Sequence, residues 1–312
     1  MCIALISTAH PDYSLIIIDN RDEFLRRPTS APDWWPEPHS HVLGSRDLAR
    51  ATHGTWMGVT KQGKVAVLTN YQEEKSSQAI GAFSRGLIVN KWLATPPNHD
   101  ESTHDFVQSM INSPEARQVG GLQFTIVSNR SLNMDQITWV AGETGQTWGL
   151  SNTFVDDRTW PKILDGESLM ESAIQDHVKA QEDEESLIER LLGVLNTNRL
   201  PPLSEEEESS IEATNIGCYI SHMRKSILIP RLPRDGSNTP QENETEESAA
   251  NGTPKLDYLS GPYGTEKQTI LLAQRDGRVR YFERTLYDNN LQAIPAGKGD
   301  RSFEFHIESS KE

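Results

Sequence analysis

Apolar residues along this chain fall into short alternating runs at both ends and longer-period stripes in the middle. Ile3 to Ile6 and Leu15-Ile16-Ile17-Ile18 predict strands over 2–8 and 13–19, joined by a turn at Pro11-Asp12. Residues 26–54 carry no period; Pro28, Pro32, Pro36 and Pro38 surround Trp34-Trp35, and the stretch reads as loop. Residues 55–59 and 65–69 then flank Lys61-Gln62-Gly63-Lys64, a hairpin signal.

Helical spacing follows. Leu87, Ile88 and Trp92 predict a helix over 84–94, closed by Pro96, and Phe106, Val107 and Met110 predict one over 102–112, capped by Ser102 or Thr103. Strands are expected at 123–128, 136–141 and 147–150, helix through 161–195, and a strand or strand pair at 219–229. Residues 268–274 and 278–283 flank Arg275-Asp276-Gly277 as a second hairpin, with a last strand near 302–307. Strands at both ends, helices between them and short hairpins predict an α+β fold with antiparallel sheets.

Pro201-Pro202 and Glu205 to Glu208 mark an exposed connection. Residues 231–256 lack aromatics and abound in Glu, Asn, Ser and Thr, so they bury too little apolar surface to offset chain entropy and read as a disordered acidic insertion. The rest of the 312 residues is expected to form one domain.

Charge narrows the function classes. With 30 Lys and Arg against 45 Asp and Glu the net charge is −15, which argues against a nucleic-acid surface. Two cysteines, Cys2 and Cys218, make no disulfide framework and suit a reducing compartment. No apolar run reaches the length of a membrane span, and the first residues lack the pattern of a signal peptide, so a cytoplasmic protein is expected.

The candidate chemistry starts at Cys2. A small residue after Met1 favours removal of the methionine, which would expose a cysteine with its own α-amine. That amine has a pKa near ~8 and can serve as base toward the thiol. The other reading is a small buried core residue. Arg21 near the thiol would favour the thiolate, and Asp22 or Glu23 could hold the ammonium; alternatively Asn20-Arg21-Asp22-Glu23 is a charged turn closing a strand. Asn70 and Asn152 each end an apolar strand, where an amide can donate to an oxyanion or simply cap a turn. His39, His41 and His53 lack a completing cysteine or carboxylate pair, and no metal is expected there.

Several motifs then occur in order: Met1-Cys2-Ile3, Asn20-Arg21-Asp22-Glu23-Phe24, Arg27-Pro28-Thr29, Gly54-Thr55-Trp56-Met57-Gly58, Leu68-Thr69-Asn70-Tyr71, Ser84-Arg85-Gly86, Gly149-Leu150-Ser151-Asn152 and Tyr263-Gly264-Thr265. Together they resemble the NRDE family, the transport and Golgi organisation protein 2 homologues, over nearly the whole chain except 231–256. That family in turn is similar to N-terminal-nucleophile hydrolases of the penicillin V acylase and bile-salt hydrolase type.

The resemblance implies an αββα sandwich of two mainly antiparallel sheets between helical layers. It implies Cys2 as nucleophile and base, Arg21 and Asp22 in support, and Asn70 and Asn152 as oxyanion or substrate donors. It places Asn20, Glu23, Tyr71 and Tyr263 beside a ligand. Those acylases set the aspartate three residues after the arginine, whereas Arg21 and Asp22 are adjacent. Family members often carry arginine after Tyr-Gly-Thr, where this chain has Glu266 and then Lys267. The implied role is in haem trafficking, lipid or acyl-CoA homeostasis and Golgi organisation and secretion, in the cytoplasm and in association with mitochondria or Golgi. The implied ligand is haem or an acyl lipid, with no cofactor required. Two other functions are an N-terminal-cysteine hydrolase or acyl transferase acting on an amide or thioester, and an interaction protein that recruits a partner through 231–256.

Overall fold

A computed structural model describes residues 1–71, 84–96, 99, 102–114, 122–127, 145–154, 156–201, 222–232 and 261–308. The expected strand at 136–141, the Glu205 to Glu208 run, Cys218 and the 233–256 part of the acidic insertion lie outside these residues.

Two antiparallel sheets form the centre. The first has six strands in the order β11-β10-β9-β2-β1-β8: β11 (Asp300–His306), β10 (Arg278–Thr285), β9 (Tyr263–Gln274), β2 (Tyr13–Phe24), β1 (Ile3–Ser7) and β8 (Thr147–Leu150). The second has five: β3 (Asp33–Trp34), β4 (Val42–Gly44), β5 (Met57–Thr60), β6 (Val65–Asn70) and β7 (Leu122–Val127). Helices α1 (Gly86–Leu93) and α2 (Thr103–Asn112) belong to one outer layer, α3 (Pro161–Ala180) and α4 (Glu184–Leu195) to the other.

The strand alternation explains the layers. Ile3, Leu5, Ile16 and Ile18 face one way and pack with Met170, Ile174, Leu187, Leu191 and Leu192 of α3 and α4. Ala4, Ile6, Leu15 and Ile17 face the other way, against Leu43, Met57, Val59, Val65 and Val67 of the second sheet. Val42, Ala66 and Leu68 turn to the far side and meet Ile88, Val89, Trp92 and Phe106. A strand buried on both faces reads as a continuous apolar run, as Leu15 to Ile18 does. The order of layers is thus helix, sheet, sheet, helix, the expected αββα sandwich.

Several expectations are corrected. Asn20-Arg21-Asp22-Glu23 is not a turn: β2 continues through Phe24 because β9 runs beside it, pairing Asp22 with Thr265 and Phe24 with Tyr263. The proline-rich 26–54 stretch holds β3 and β4, two short strands at a sheet edge, where proline is tolerated. The 161–195 region is two helices, broken where Gln181 adopts a left-handed conformation (φ 53°) and Asp183 caps α4 by accepting from Ser186 N–H. Residues 222–230 form a helical turn at His222-Met223 and then no strand. Their backbone is engaged elsewhere: Asn20 donates to the Ile227 carbonyl, Leu228 N–H to Thr197, and Ile229 N–H to Thr265 Oγ1.

Helix α3 lies close against β1 and β8. A Cβ added at Gly166 would come within 2.9 Å of Leu5, and one at Gly149 within 2.9 Å of Ile163. This approach carries the first turn of α3 to the start of β1.

Candidate functional site at the N-terminal end of the first sheet

Register sets the site. Ile3 pairs with Asn20, so the residues before Ile3 lie against Arg21 and Asp22. The Cys2 thiol sits on the Asp22 backbone: Asp22 N–H donates to Sγ at 3.4 Å, and Sγ contacts the Asp22 carbonyl at 3.5 Å. The Asp22 carboxylate accepts from Thr265 Oγ1 at 2.6 Å and pairs with the Met1 ammonium at 3.3 Å. That ammonium also donates to Tyr263 Oη, which itself donates to the Asp22 carbonyl at 3.2 Å.

Lys162, in the first turn of α3, is fully buried and donates to the carbonyls of Met1 (2.5 Å) and Cys2 (3.2 Å). Ser151 Oγ donates to the Cys2 carbonyl as well, at 2.7 Å. The second sheet joins through Thr69 Oγ1, which donates to the Ser151 carbonyl, and Asn152 Nδ2, which donates to the Asn70 carbonyl at 2.5 Å. Cys2, Ser151, Asn152 and Asn70 are thereby linked across the ends of both sheets. The ring of Tyr71 lies 4.8 Å from that of the exposed Phe154.

Burial dominates the electrostatics. Although Cys2 is only half-buried by exposure, the surrounding protein pushes its thiol up to about 11, against the pull of the neighbouring ammonium. Burial raises Asp22 and Tyr263, and lowers the Met1 ammonium and Lys162, the latter to about 8. With Met1 in place the Cys2 nitrogen is an amide and supplies no base, so the thiol is neutral at physiological pH.

Arg21 acts on the thiol only at a distance, each charge favouring the other, while its direct partners lie elsewhere. Its guanidinium pairs with Glu266 and Asp47 and stacks 4.7 Å over Trp56. Glu266 is the extra residue of a β-bulge, since Arg21 pairs with Lys267 but Asp22 with Thr265. It also accepts from Thr29 Oγ1 at 2.6 Å, while Asp47 pairs with Arg27. Lys267 is buried on Glu283 at 2.9 Å. Of the other expected residues, Asn20 is fully buried and ties β2 to the carbonyls of Leu195 and Ile227. Glu23 is half-buried, with Oε1 accepting from Phe24 N–H. Among the described residues no group of three or more His, Cys, Asp or Glu could hold a metal; His41 hydrogen-bonds the Leu93 carbonyl.

The comparisons with known proteins follow this geometry. A family model described as Transport and Golgi organisation 2 matches residues 1–288. The chain belongs to that family. The human Transport and Golgi organization protein 2 homolog is 27% identical over 312 aligned residues, covering 95% of this chain and 94% of its own. The Drosophila melanogaster Transport and Golgi organization protein 2 is 24% identical over 295 residues, with 88% and 87% covered. Among solved structures, a mutant conjugated bile acid hydrolase from Clostridium perfringens aligns at TM-score 0.35 and 10% identity, covering 99% of this chain and 98% of that one. A Caenorhabditis elegans N-acylethanolamine-hydrolyzing acid amidase ortholog aligns at TM-score 0.29 and 12% identity, with 61% and 85% covered.

Lys162 and Asp19 do not stand out in the sequence as site residues, and Ser151 and Trp56 stand there only within the family motifs. Lys162 carried a signal, because a cation in the first turn of a helix opposes its dipole and calls for another reason to be there. Asp19 carried one too: it shares the face of Leu15 and Ile17, where a carboxylate is out of place. It is buried, and among the described residues neither of its oxygens nor the Trp56 indole N–H has a hydrogen-bond partner.

Proposed function

We propose that this member of the Transport and Golgi organisation 2 family holds a small ligand at the Cys2 end of its sheets. The ligand is an acyl lipid such as acyl-CoA, or haem, and no resident cofactor is required. The holding role serves haem trafficking, lipid homeostasis and Golgi organisation and secretion, in the cytoplasm and in association with mitochondria or Golgi. Among the described residues no helix is long and apolar enough to cross a membrane.

The observation that supports holding over cutting is the state of the thiol. Burial keeps it protonated, its own nitrogen is an amide, and Arg21 is committed to Glu266 and Asp47. Titration of the full chain with palmitoyl-CoA and with haem tests the reading. Binding of one of them that survives Cys2→Ala is expected, unless the thiol itself ligates haem iron, in which case only haem binding drops. Failure of both ligands to bind either protein would remove it.

A second reading is favoured by the convergence of Asp22, Tyr263 and Lys162 on the first two residues. If Met1 is removed, the Cys2 α-amine takes the thiol proton while Sγ attacks the carbonyl carbon of an amide or thioester. The proton passes to the departing amine or thiol, leaving an acyl group on sulfur. Water then opens this thioester in a hydrolase, and an amine or alcohol does so in a transferase. Asn152 and Asn70 would face the oxyanion. Intact mass is decisive here: a retained Met1, or Cys2 that takes no acyl group from an activated ester, ends this reading.

A further inference from the structure

Met1 is packed as a ligand would be. The residue is 9% exposed and lies among Trp160, Ile163, Met223, Ile229 and Leu232, a cluster separate from the three cores between layers. Its carbonyl oxygen accepts from the buried Lys162, and its ammonium meets Asp22 and Tyr263. Every polar group of residue 1 therefore has a partner, and its apolar chain has a pocket.

We propose that this pocket is the acyl-tail subsite of the Cys2 site, plugged by residue 1 and opened when that residue is removed. The inference rests on the reading that an acyl group is held at Cys2. Two observations carry it. The walls named above are apolar and nearly fully buried, and an emptied pocket of that kind stays dry and takes an apolar guest. At its mouth, Lys162 would lose the Met1 carbonyl, leaving a buried donor that favours a new acceptor in the same place.

The methionine is its own template for the guest. From its carbonyl carbon through Cα, Cβ, Cγ and Sδ to Cε it has the length of an unbranched hexanoyl group. The chemical class is thus a medium-length linear acyl group whose carbonyl oxygen lies on Lys162.

Two forms of the full chain test this, one retaining Met1 and one trimmed by methionine aminopeptidase, so that the experiment runs whichever form cells make. Hexanamide is the probe, acetamide the head-group control, and palmitoyl-CoA and haem are titrated in parallel. The trimmed form should bind hexanamide roughly ten- to a hundredfold more tightly than the retained form, with acetamide binding neither. Ile163→Trp, which fills the pocket, should abolish that binding. Leu232→Phe serves if Ile163→Trp fails to fold, and a rise in the unfolding temperature of the trimmed form with hexanamide gives an independent measure. Equal hexanamide binding by both forms would overturn the plug. If palmitoyl-CoA or haem binds while hexanamide binds neither form, the subsite is refuted and the holding function stands. If nothing binds either form, both fall.

Discussion

The two ends of β2 both bury polar groups but satisfy them to different degrees. At the Tyr13 end, Tyr13 Oη donates to Glu184 at 2.8 Å, and Glu184 also pairs with Arg278 and Arg280. His10 and His177 share a 3.1 Å hydrogen bond, His177 bonds the Asp183 carbonyl, and Asp12 N–H donates to His10 Nδ1. Because Nδ1 accepts, His10 carries its proton on Nε2 and is neutral. Towards the other end, the mid-strand Asp19 carboxylate, Asn152 Oδ1 and the Trp56 N–H have no hydrogen-bond partner among the described residues. A buried unpaired polar atom costs about 1–3 kcal/mol, so a chain keeps such atoms where something outside it completes them. The fully paired end holds the fold together, and the end that keeps unpaired atoms among its paired ones is the candidate site.

The largest effect expected from this contrast is at the satisfied end. Glu184→Ala removes the acceptor of a tyrosine and two arginines and should cost about 3 kcal/mol in denaturant unfolding, with alkylation at Cys2 unchanged. A loss under about 1 kcal/mol would erase the distinction between the ends.

Acid should act on the two ends with opposite sign. His10 is lowered by burial and the neighbouring ring from 6.5 to about 4, so the unfolded chain binds the proton more readily. Its contribution is complete above pH 6.5 and is lost as pH falls towards 4. Asp19 is raised by burial, so the folded chain binds the proton more readily, and its contribution is lost as pH rises from the ordinary carboxylate range. Asp19→Asn should therefore stabilise the chain at pH 7, on the order of 1 kcal/mol, and the gain should shrink towards pH 4. Unfolding curves of wild type and variant that stay parallel across this range would contradict the assignment.

The smallest effect belongs to Asn152→Ala. It removes one hydrogen bond, to the Asn70 carbonyl, and one unpaired oxygen, so the two changes offset and stability should move by less than about 0.5 kcal/mol. Ligand binding should fall while stability holds, which separates a site residue from a structural one.

Much of this contrast was legible in the sequence, for a physical reason. Leu15 to Ile18 announces a doubly buried strand, and Ser102 caps α2 as read, accepting from Asp105 N–H. The order of the family motifs brought Cys2, Asp22 and Tyr263 into one reading, and the structure places them in contact. What could not be read depends on pairing across the chain. Asn20 to Phe24 looks like a turn until β9 lies beside it, and Arg21 looks like a partner for the thiol until Glu266, residing in a bulge of β9, claims it. The place of Lys162 depends on Gly149 and Gly166, which let α3 approach β1.

The claim that the Cys2 end is a desolvated site holding its thiol neutral is tested most directly by the pH dependence of alkylation. The rate of iodoacetamide modification, followed by mass spectrometry on the Cys2 peptide of the full chain with Met1 retained, should rise with a midpoint near pH 11. A midpoint near the ordinary cysteine value of about 8.5 would show a solvated thiol and contradict the account.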